Sequence, residues 1–236
     1  ECFNKNTNRR IKACLPMHTF GRACRIDEIL QICNEYNLQL IEDAAEAMGS
    51  TYKNKHLGTF GLLGAISFNG NKIMTTGGGG VIITDDERLA LTVKHLTSQA
   101  KINHSWEYDH NEIGYNYRMP NLNAALGLAQ LEQLPEFIKS KRKLANKYKN
   151  FFNSMGFEFL SEREEESSNY WLNAIVLNDI RERDLFLSFS NERGLMTRPI
   201  WKPMNLLPMF ADCQSSDLNN SKWLYERVIC LPSSVR

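Results

Sequence analysis

A chain of 236 residues is long enough to bury a sizeable core, as one large domain or as one domain with a smaller companion. Charged residues make up 23% and hydrophobic residues 42%, the balance of an ordinary globular protein, which excludes wholesale disorder and a fibrous architecture. With 28 Lys+Arg against 27 Asp+Glu the net charge is +1, so there is no overall electrostatic footprint for nucleic acid or an acidic membrane surface, and a small or polar-neutral ligand is the natural expectation.

The chain opens at Glu1 without an initiator Met and reaches a strand-like segment at Ile11 to Leu15, so it reads as a chain entered midway. Ile26, Ile29, Leu30, Cys33 and Tyr36 then recur at helical spacing, with Asp27 and Glu28 in the first turn, where carboxylates suit the helix dipole. A short apolar strand at Leu38 to Ile41 ends on two acids, Glu42 and Asp43. Ala65 to Phe68 and Val81 to Thr84 read as two more strands, separated by a polar loop and the run Gly77 to Gly80. Asp85 and Asp86 are placed to cap a helix with Leu89, Ala90, Val93 and Leu96 on its buried face. Strands alternating with helices predict an α/β fold with a mainly parallel sheet.

After the loop from Gln99 to Met119, Pro120 opens a helix in which Leu122, Ala125, Leu126, Leu128, Ala129 and Leu131 form a stripe wide enough to imply deep burial. Pro135 is expected to restart the pattern as a second long helix running to Phe152. Lys141 can lay its stem over the apolar face of that helix, while Lys139, Arg142, Lys143, Lys147 and Lys149 form a basic face without base-stacking aromatics, which reads as solvated surface and not as a nucleic-acid site. Ser161 to Asn169 is acidic and serine-rich, a loop signal. A strand (Asn173 to Leu177), a helix (Arg181 to Arg193, stopped by Gly194) and another strand follow. The expected division is a larger unit over residues 1–152, including the long helix, and a smaller α+β domain over residues 153–236.

Chemistry concentrates at two strand ends. Asp43 sits where a strand should finish, and in open parallel sheets the crevice beyond the carboxyl ends of the strands is where ligands bind; an exposed acid capping the turn at Ala44 is the blander alternative. Lys72 follows the strand at Ala65 to Phe68 and faces the same crevice. A lysine there can form a Schiff base with an aldehyde cofactor, although a lone loop lysine is ordinarily a solvated charge. The four glycines lack the Gly-Lys-Ser/Thr ending of a P-loop and read as a tight turn. Ser67 can offer a phosphate a hydroxyl. His18, His56, His95, His104 and His110 form no HExxH-like pair, so no metal site is expected, and His18 is the least readily assigned of the five. The six cysteines show no CxxC pair, no secretory signal precedes them, and no apolar run reaches the roughly 20 residues that cross a bilayer, so a cytoplasmic protein with reduced thiols and no membrane anchor is expected.

Three ordered blocks, IEDAAEAMGS (Ile41 to Ser50), GTFGLLGAISFNGNKIMTTGGGGVIITDD (Gly58 to Asp86) and EIGYNYRMPNLNAALGLAQLEQL (Glu112 to Leu134), resemble the signature blocks of the DegT/DnrJ/StrS-type sugar aminotransferases. TRPIWKPMNLLPMF (Thr197 to Phe210) resembles the family's small-domain motif, so the similarity runs over nearly the whole chain. The resemblance implies the type I aspartate-aminotransferase-like fold, a homodimer with shared active sites, and pyridoxal 5'-phosphate as cofactor. It assigns Lys72 to covalent attachment of the cofactor and to proton transfer, Asp43 to the pyridinium nitrogen, and Ser67 to the phosphate. Asn116 would reach that phosphate from the neighbouring subunit. Glu46 stands where relatives often carry Gln or His near the cofactor's 3'-oxygen, and Asn205 stands where many have His; both are departures. The family's N-terminal portion, with its phosphate-binding Ser-Gly-Thr loop and ring-stacking aromatic, is missing from the blocks.

The implied reaction moves an amino group from glutamate to a nucleotide-linked 4-keto-6-deoxy sugar, and the blocks look closest to the subgroup making UDP-linked diamino sugars of the bacillosamine and legionaminic acid type. The family's dehydratase branch replaces the lysine by histidine, which Lys72 argues against. A non-catalytic homologue acting as a structural or regulatory partner is the rival from another class; retention of Asp43, Ser67 and Lys72 together disfavours it.

Overall fold

A computed structural model describes residues 2–235. Strand β1 (Ala13–Cys14) leads through a 3-10 turn to helix α1 (Ile26–Tyr36), whose Ile26 and Cys33 are buried against Leu40 and which Asn37 ends in the left-handed conformation. Strand β2 (Gln39–Asp43) follows, then the hairpin of β3 (Thr51–Tyr52) and β4 (Lys55–His56), then β5 (Leu63–Ser67) and β6 (Gly80–Ile83). The first sheet has the order β1-β2-β5-β6, with β1, β2 and β5 parallel and β6 antiparallel. Helix α2 (Glu87–Thr97) is capped by the Asp86 carboxylate, which accepts the Leu89 N–H.

Helix α3 (Asn121–Ser154) is a single helix of 34 residues. The expected restart at Pro135 does not occur: the proline lies inside the helix. Proline removes one hydrogen bond and crowds the preceding turn at a cost of about 3 kcal/mol. Flanking contacts offset that cost, because Leu134 is buried and the Ile138 side chain packs onto Gly49 so closely that a Cβ there would collide with it. A second expectation is also corrected. The leucine stripe of the first half of α3 is exposed, Leu122 at 87% and Leu128 and Leu131 also open, because none of the chain's own layers covers that face. Trp106, Tyr108, Ile113 and Tyr117 of the preceding loop are exposed as well.

Beyond α3 come β7 (Glu158–Phe159), β8 (Glu166–Ser167), β9 (Asn173–Val176), α4 (Ile180–Glu192), β10 (Arg198–Pro199), α5 (Asn219–Tyr225) and β11 (Val228–Leu231). The second sheet, β10-β11-β9-β7, is antiparallel throughout, and Ile175, Val228 and Ile229 lie fully buried in it. The segment read as an acidic loop is partly ordered: β8 joins the β3–β4 hairpin as a third strand, and Ser168 and Asn169 are buried beside it. Asn169 fastens the two halves together. Its amide donates to the carbonyls of Glu46 and Met48, and its backbone N–H donates to Ser50 Oγ, whose hydroxyl donates to the Gly21 carbonyl.

Candidate active site

The parallel strands β2 and β5 end side by side, Asp43 opposite Ala65, and their carboxyl ends carry the polar groups. Asp43 is held at the end of β2 by its own backbone: its N–H donates to the Pro16 carbonyl, and its carbonyl accepts the His18 N–H. Its Oδ1 accepts the Ala45 N–H at 3.1 Å, leaving Oδ2 for another partner.

The neighbouring Glu42 points to the opposite face of the strand and is fully buried. It accepts the backbone N–H groups of Gly58 (2.8 Å), Phe60 (2.5 Å) and Gly61 (2.7 Å) and the Nε2–H of His18 (2.9 Å). Burial alone pushes the Glu42 carboxyl upward, but the hydrogen bonds from His18, Gly61 and Gly58 outweigh it and hold the group below its ordinary value. His18 Nδ1 accepts the Cys24 N–H at 3.2 Å, which fixes the tautomer that donates through Nε2. His18 therefore pins β2 in place with both ring nitrogens engaged; among the described residues there is no group of three or more His, Cys, Asp or Glu that could hold a metal ion.

Lys72 lies in the turn after β5. Its N–H donates to the Asn69 carbonyl, and buried Ile73 and Met74 anchor the turn in the core. The Lys72 side chain is 13% exposed, its Nζ 3.8 Å from Glu46 Oε1 and 4.2 Å from the centroid of the Trp171 ring. Glu46 Oε2 accepts the Phe20 N–H at 2.6 Å. Burial raises the Glu46 carboxyl above its ordinary value; the Phe20 N–H and the Lys72 charge act against this and the Asp43 charge acts with it. Lys72 Nζ thus sits beside the buried carboxyl of Glu46, three residues beyond the strand end that carries Asp43.

Ser67 ends β5, its Oγ accepting the Asn69 N–H at 3.2 Å with the hydroxyl proton still to donate. Gly77 and Gly79 take positive φ in the turn that returns the chain to β6. Asn116 is exposed and bridges Ser98 at the end of α2, and these contacts tie it to α2 and not to the Lys72 cluster. Asn205 is likewise exposed, in the 3-10 turn Met204–Leu206 that follows Trp201 in the chain. The donor set fits a pyridoxal-type cofactor: a half-enclosed primary amine for an aldehyde, a carboxylate for a ring nitrogen and a hydroxyl for a phosphate.

Sequence reasoning missed Phe20, Trp171 and Trp201. The Trp171 and Trp201 rings stack in parallel with centroids 6.0 Å apart, and Phe20 leans on Trp201 at 5.7 Å. Trp171 is 99 positions from Lys72 in sequence, and no local pattern marks their meeting.

Residues 3–236 match the model of the DegT/DnrJ/EryC1/StrS aminotransferase family. EpsN of Bacillus subtilis is 40% identical over 94% of this chain and 58% of its own length. The GDP-perosamine synthase of Escherichia coli O157:H7 is 39% identical over 88% of this chain and 56% of its own. The chain therefore spans a little under three fifths of these curated relatives. Among solved structures, PseC of Helicobacter pylori, an aminotransferase involved in the biosynthesis of pseudoaminic acid, superimposes with a TM-score of 0.91 over 98% of this chain and 63% of that one, at 26% identity. The α/β architecture with its mixed sheet is thus the aspartate-aminotransferase-like fold expected from the sequence.

Proposed function

This chain belongs to the DegT/DnrJ/EryC1/StrS aminotransferase family, and on that premise we propose that it carries the cofactor-bearing part of a pyridoxal-phosphate-dependent aminotransferase acting on a nucleotide-linked 4-keto-6-deoxy sugar, with glutamate as amino donor. The observation that carries the reading is the enclosed Lys72 amine, 3.8 Å from the buried Glu46 carboxyl, in the turn after β5, beside which the parallel strand β2 ends on Asp43. A lysine with its stem buried and its amine beside carboxyls is placed for covalent work, whereas a solvated loop lysine would not be 13% exposed.

Pyridoxal phosphate, when bound, supplies an aldehyde carbon and a ring that withdraws electrons from the substrate carbon. Lys72 would hold the cofactor through Nζ, and its free amine would move a proton at that same atom. Asp43 would face the ring nitrogen with its negative charge. Ser67 would donate its hydroxyl to the phosphate. Glu46 stays beside Lys72 Nζ and orients the amine toward the crevice. Asn116, exposed and outside the cluster of its own chain, is assigned to the phosphate of a partner subunit. Leu122, Leu128 and Leu131 on α3 and Trp106, Ile113 and Tyr117 in the loop before it are all exposed, and large apolar side chains exposed in such number support a homodimer with shared sites.

The sugar is proposed as UDP-linked, while the more similar of the named synthases carry GDP in their names. Full-length protein supplied with pyridoxal phosphate, 15N-glutamate and either UDP- or GDP-linked 4-keto-6-deoxyhexose decides this. The expected product is an amino sugar carrying 15N, detected by mass spectrometry, with the UDP substrate favoured. Absence of 15N from both sugars, in protein that holds cofactor, contradicts the substrate class.

A further inference from the structure

Trp171 meets the Lys72 turn through two different chemistries. Its indole N–H donates to the Asn71 carbonyl at 2.6 Å, fixing the peptide just before Lys72, and its ring face lies 4.2 Å from the Lys72 ammonium, within the range of a cation–π contact. The tryptophan is itself held from behind. It is 3% exposed, its backbone N–H donates to Asn169 Oδ1 at 2.8 Å, and its carbonyl accepts from the buried Lys141 ammonium at 3.1 Å. Tyr170, just before it, is buried at φ 47°, a left-handed conformation costing a non-glycine residue on the order of 1–2 kcal/mol. Strain of that kind persists where the surroundings over-determine a geometry, and here it lies between Asn169, which grips the Glu46 carbonyl, and Trp171, which grips the Lys72 turn.

We propose that Trp171 is a positioning residue for Lys72: it fixes the peptide before the lysine and holds the amine over the carboxyl ends of β2 and β5, so that the segment leading into the second sheet sets the geometry of the reactive amine. The proposal rests on the reading of Lys72 as the cofactor-bearing residue. Ordinary core packing would account for the burial of Trp171, but not for an indole N–H and a ring face both directed at the residues that carry the reacting atom.

The test uses the full-length protein with Trp171→Phe, which keeps a ring face and loses the donor, and Trp171→Leu, which loses both. Ile175→Ala serves as a control for loss of stability alone, because Ile175 is fully buried in a different cluster. Pyridoxal phosphate affinity is read by visible absorbance, and hydrogen exchange of the Asn71 to Ile73 amides is read without cofactor. Trp171→Leu is expected to weaken cofactor binding about tenfold and Trp171→Phe about threefold, both with faster exchange at Asn71 to Ile73, while Ile175→Ala lowers the unfolding temperature and leaves affinity within about twofold. Unchanged affinity in Trp171→Leu, or an equal loss in Ile175→Ala, overturns the proposal. If the wild-type protein takes up no cofactor at Lys72, the catalytic reading fails by itself. The exchange experiment then still decides the contact: faster exchange in Trp171→Leu upholds it, and unchanged exchange overturns it.

Discussion

Replacing Glu42 by Gln removes one charge and reverses the polarity of one end of a side chain that is enclosed on all sides. The carboxylate accepts four hydrogen bonds, two at each oxygen: Phe60 and Gly61 at Oε1, Gly58 and His18 at Oε2. A glutamine keeps one oxygen, so its amide N–H2 must face either the Gly58 N–H and His18 Nε2–H or the other pair. His18 cannot relieve the conflict by changing tautomer, because its Nδ1 already accepts from Cys24. Two buried donors left facing another donor, at about 1–3 kcal/mol each, give an expected loss of about 4 kcal/mol. The wild-type contribution depends on pH in a definite direction. The folded carboxyl lies below its ordinary value of 4.5, so its stabilisation is complete above 4.5 and is lost as pH falls through the folded value. Urea unfolding of both proteins at pH 7 and through the acid range measures this: the gap should be widest at pH 7 and close in acid. A gap under about 1 kcal/mol at pH 7, or one that does not narrow in acid, refutes the reasoning.

Three further outcomes are expected. The Lys141 ammonium is lowered by burial from 10.5 to about 8. Between those values the unfolded chain binds the proton that the folded one has lost, so this lysine should add about 3 kcal/mol of stability as pH rises from 8 to 10.5. The wild-type minus Lys141→Met difference in urea stability isolates that slope from the half-buried thiol of Cys24 and the buried thiol of Cys230, whose raised values act in the opposite sense in alkali; a flat difference sinks it. Gly21 has φ +75°, and a Cβ there would sit 2.1 Å from Asn169 Oδ1 and 2.7 Å from the Glu46 carbonyl, so Gly21→Ala should cost about 3 kcal/mol in thermal or chemical unfolding, and wild-type stability in the variant would disprove the close approach. Asp43→Asn should reduce amino transfer at least about a hundredfold in single-turnover assays while leaving unfolding within about 1 kcal/mol, since Asp43 is half-exposed and its carboxylate accepts the Ala45 N–H through an oxygen that asparagine keeps; activity within threefold of wild type would remove Asp43 from its assigned role.

What the sequence made legible were the elements whose signal is local. Helix α1 follows from its apolar repeat, and α2 from the Asp86 cap; the strands read at Leu38 to Ile41 and Ala65 to Phe68 follow from short apolar runs, and in the structure they span Gln39–Asp43 and Leu63–Ser67. The contacts around Lys72 were half legible. Asp43, Glu46 and Ser67 lie near it in sequence and in recognisable blocks, but Asn169 and Trp171 reach Glu46 and Asn71 through long-range hydrogen bonds, just beyond the pairing of β8 with β3. Nothing at residue 171 announces that. The Pro135 expectation failed because a rule about isolated helices was applied where burial of Leu134 and Ile138 holds the helix together. The α3 stripe failed differently: apolar periodicity reports that a face is meant to be covered, without saying that the same chain covers it.

The most direct test of the account is to load full-length protein with pyridoxal phosphate, record its visible spectrum, reduce it with borohydride and map the modified peptide, beside a Lys72→Ala control. The account predicts a cofactor-modified peptide at Lys72 that is absent from the control; a folded protein with no adduct, or with the adduct on another lysine, would contradict it.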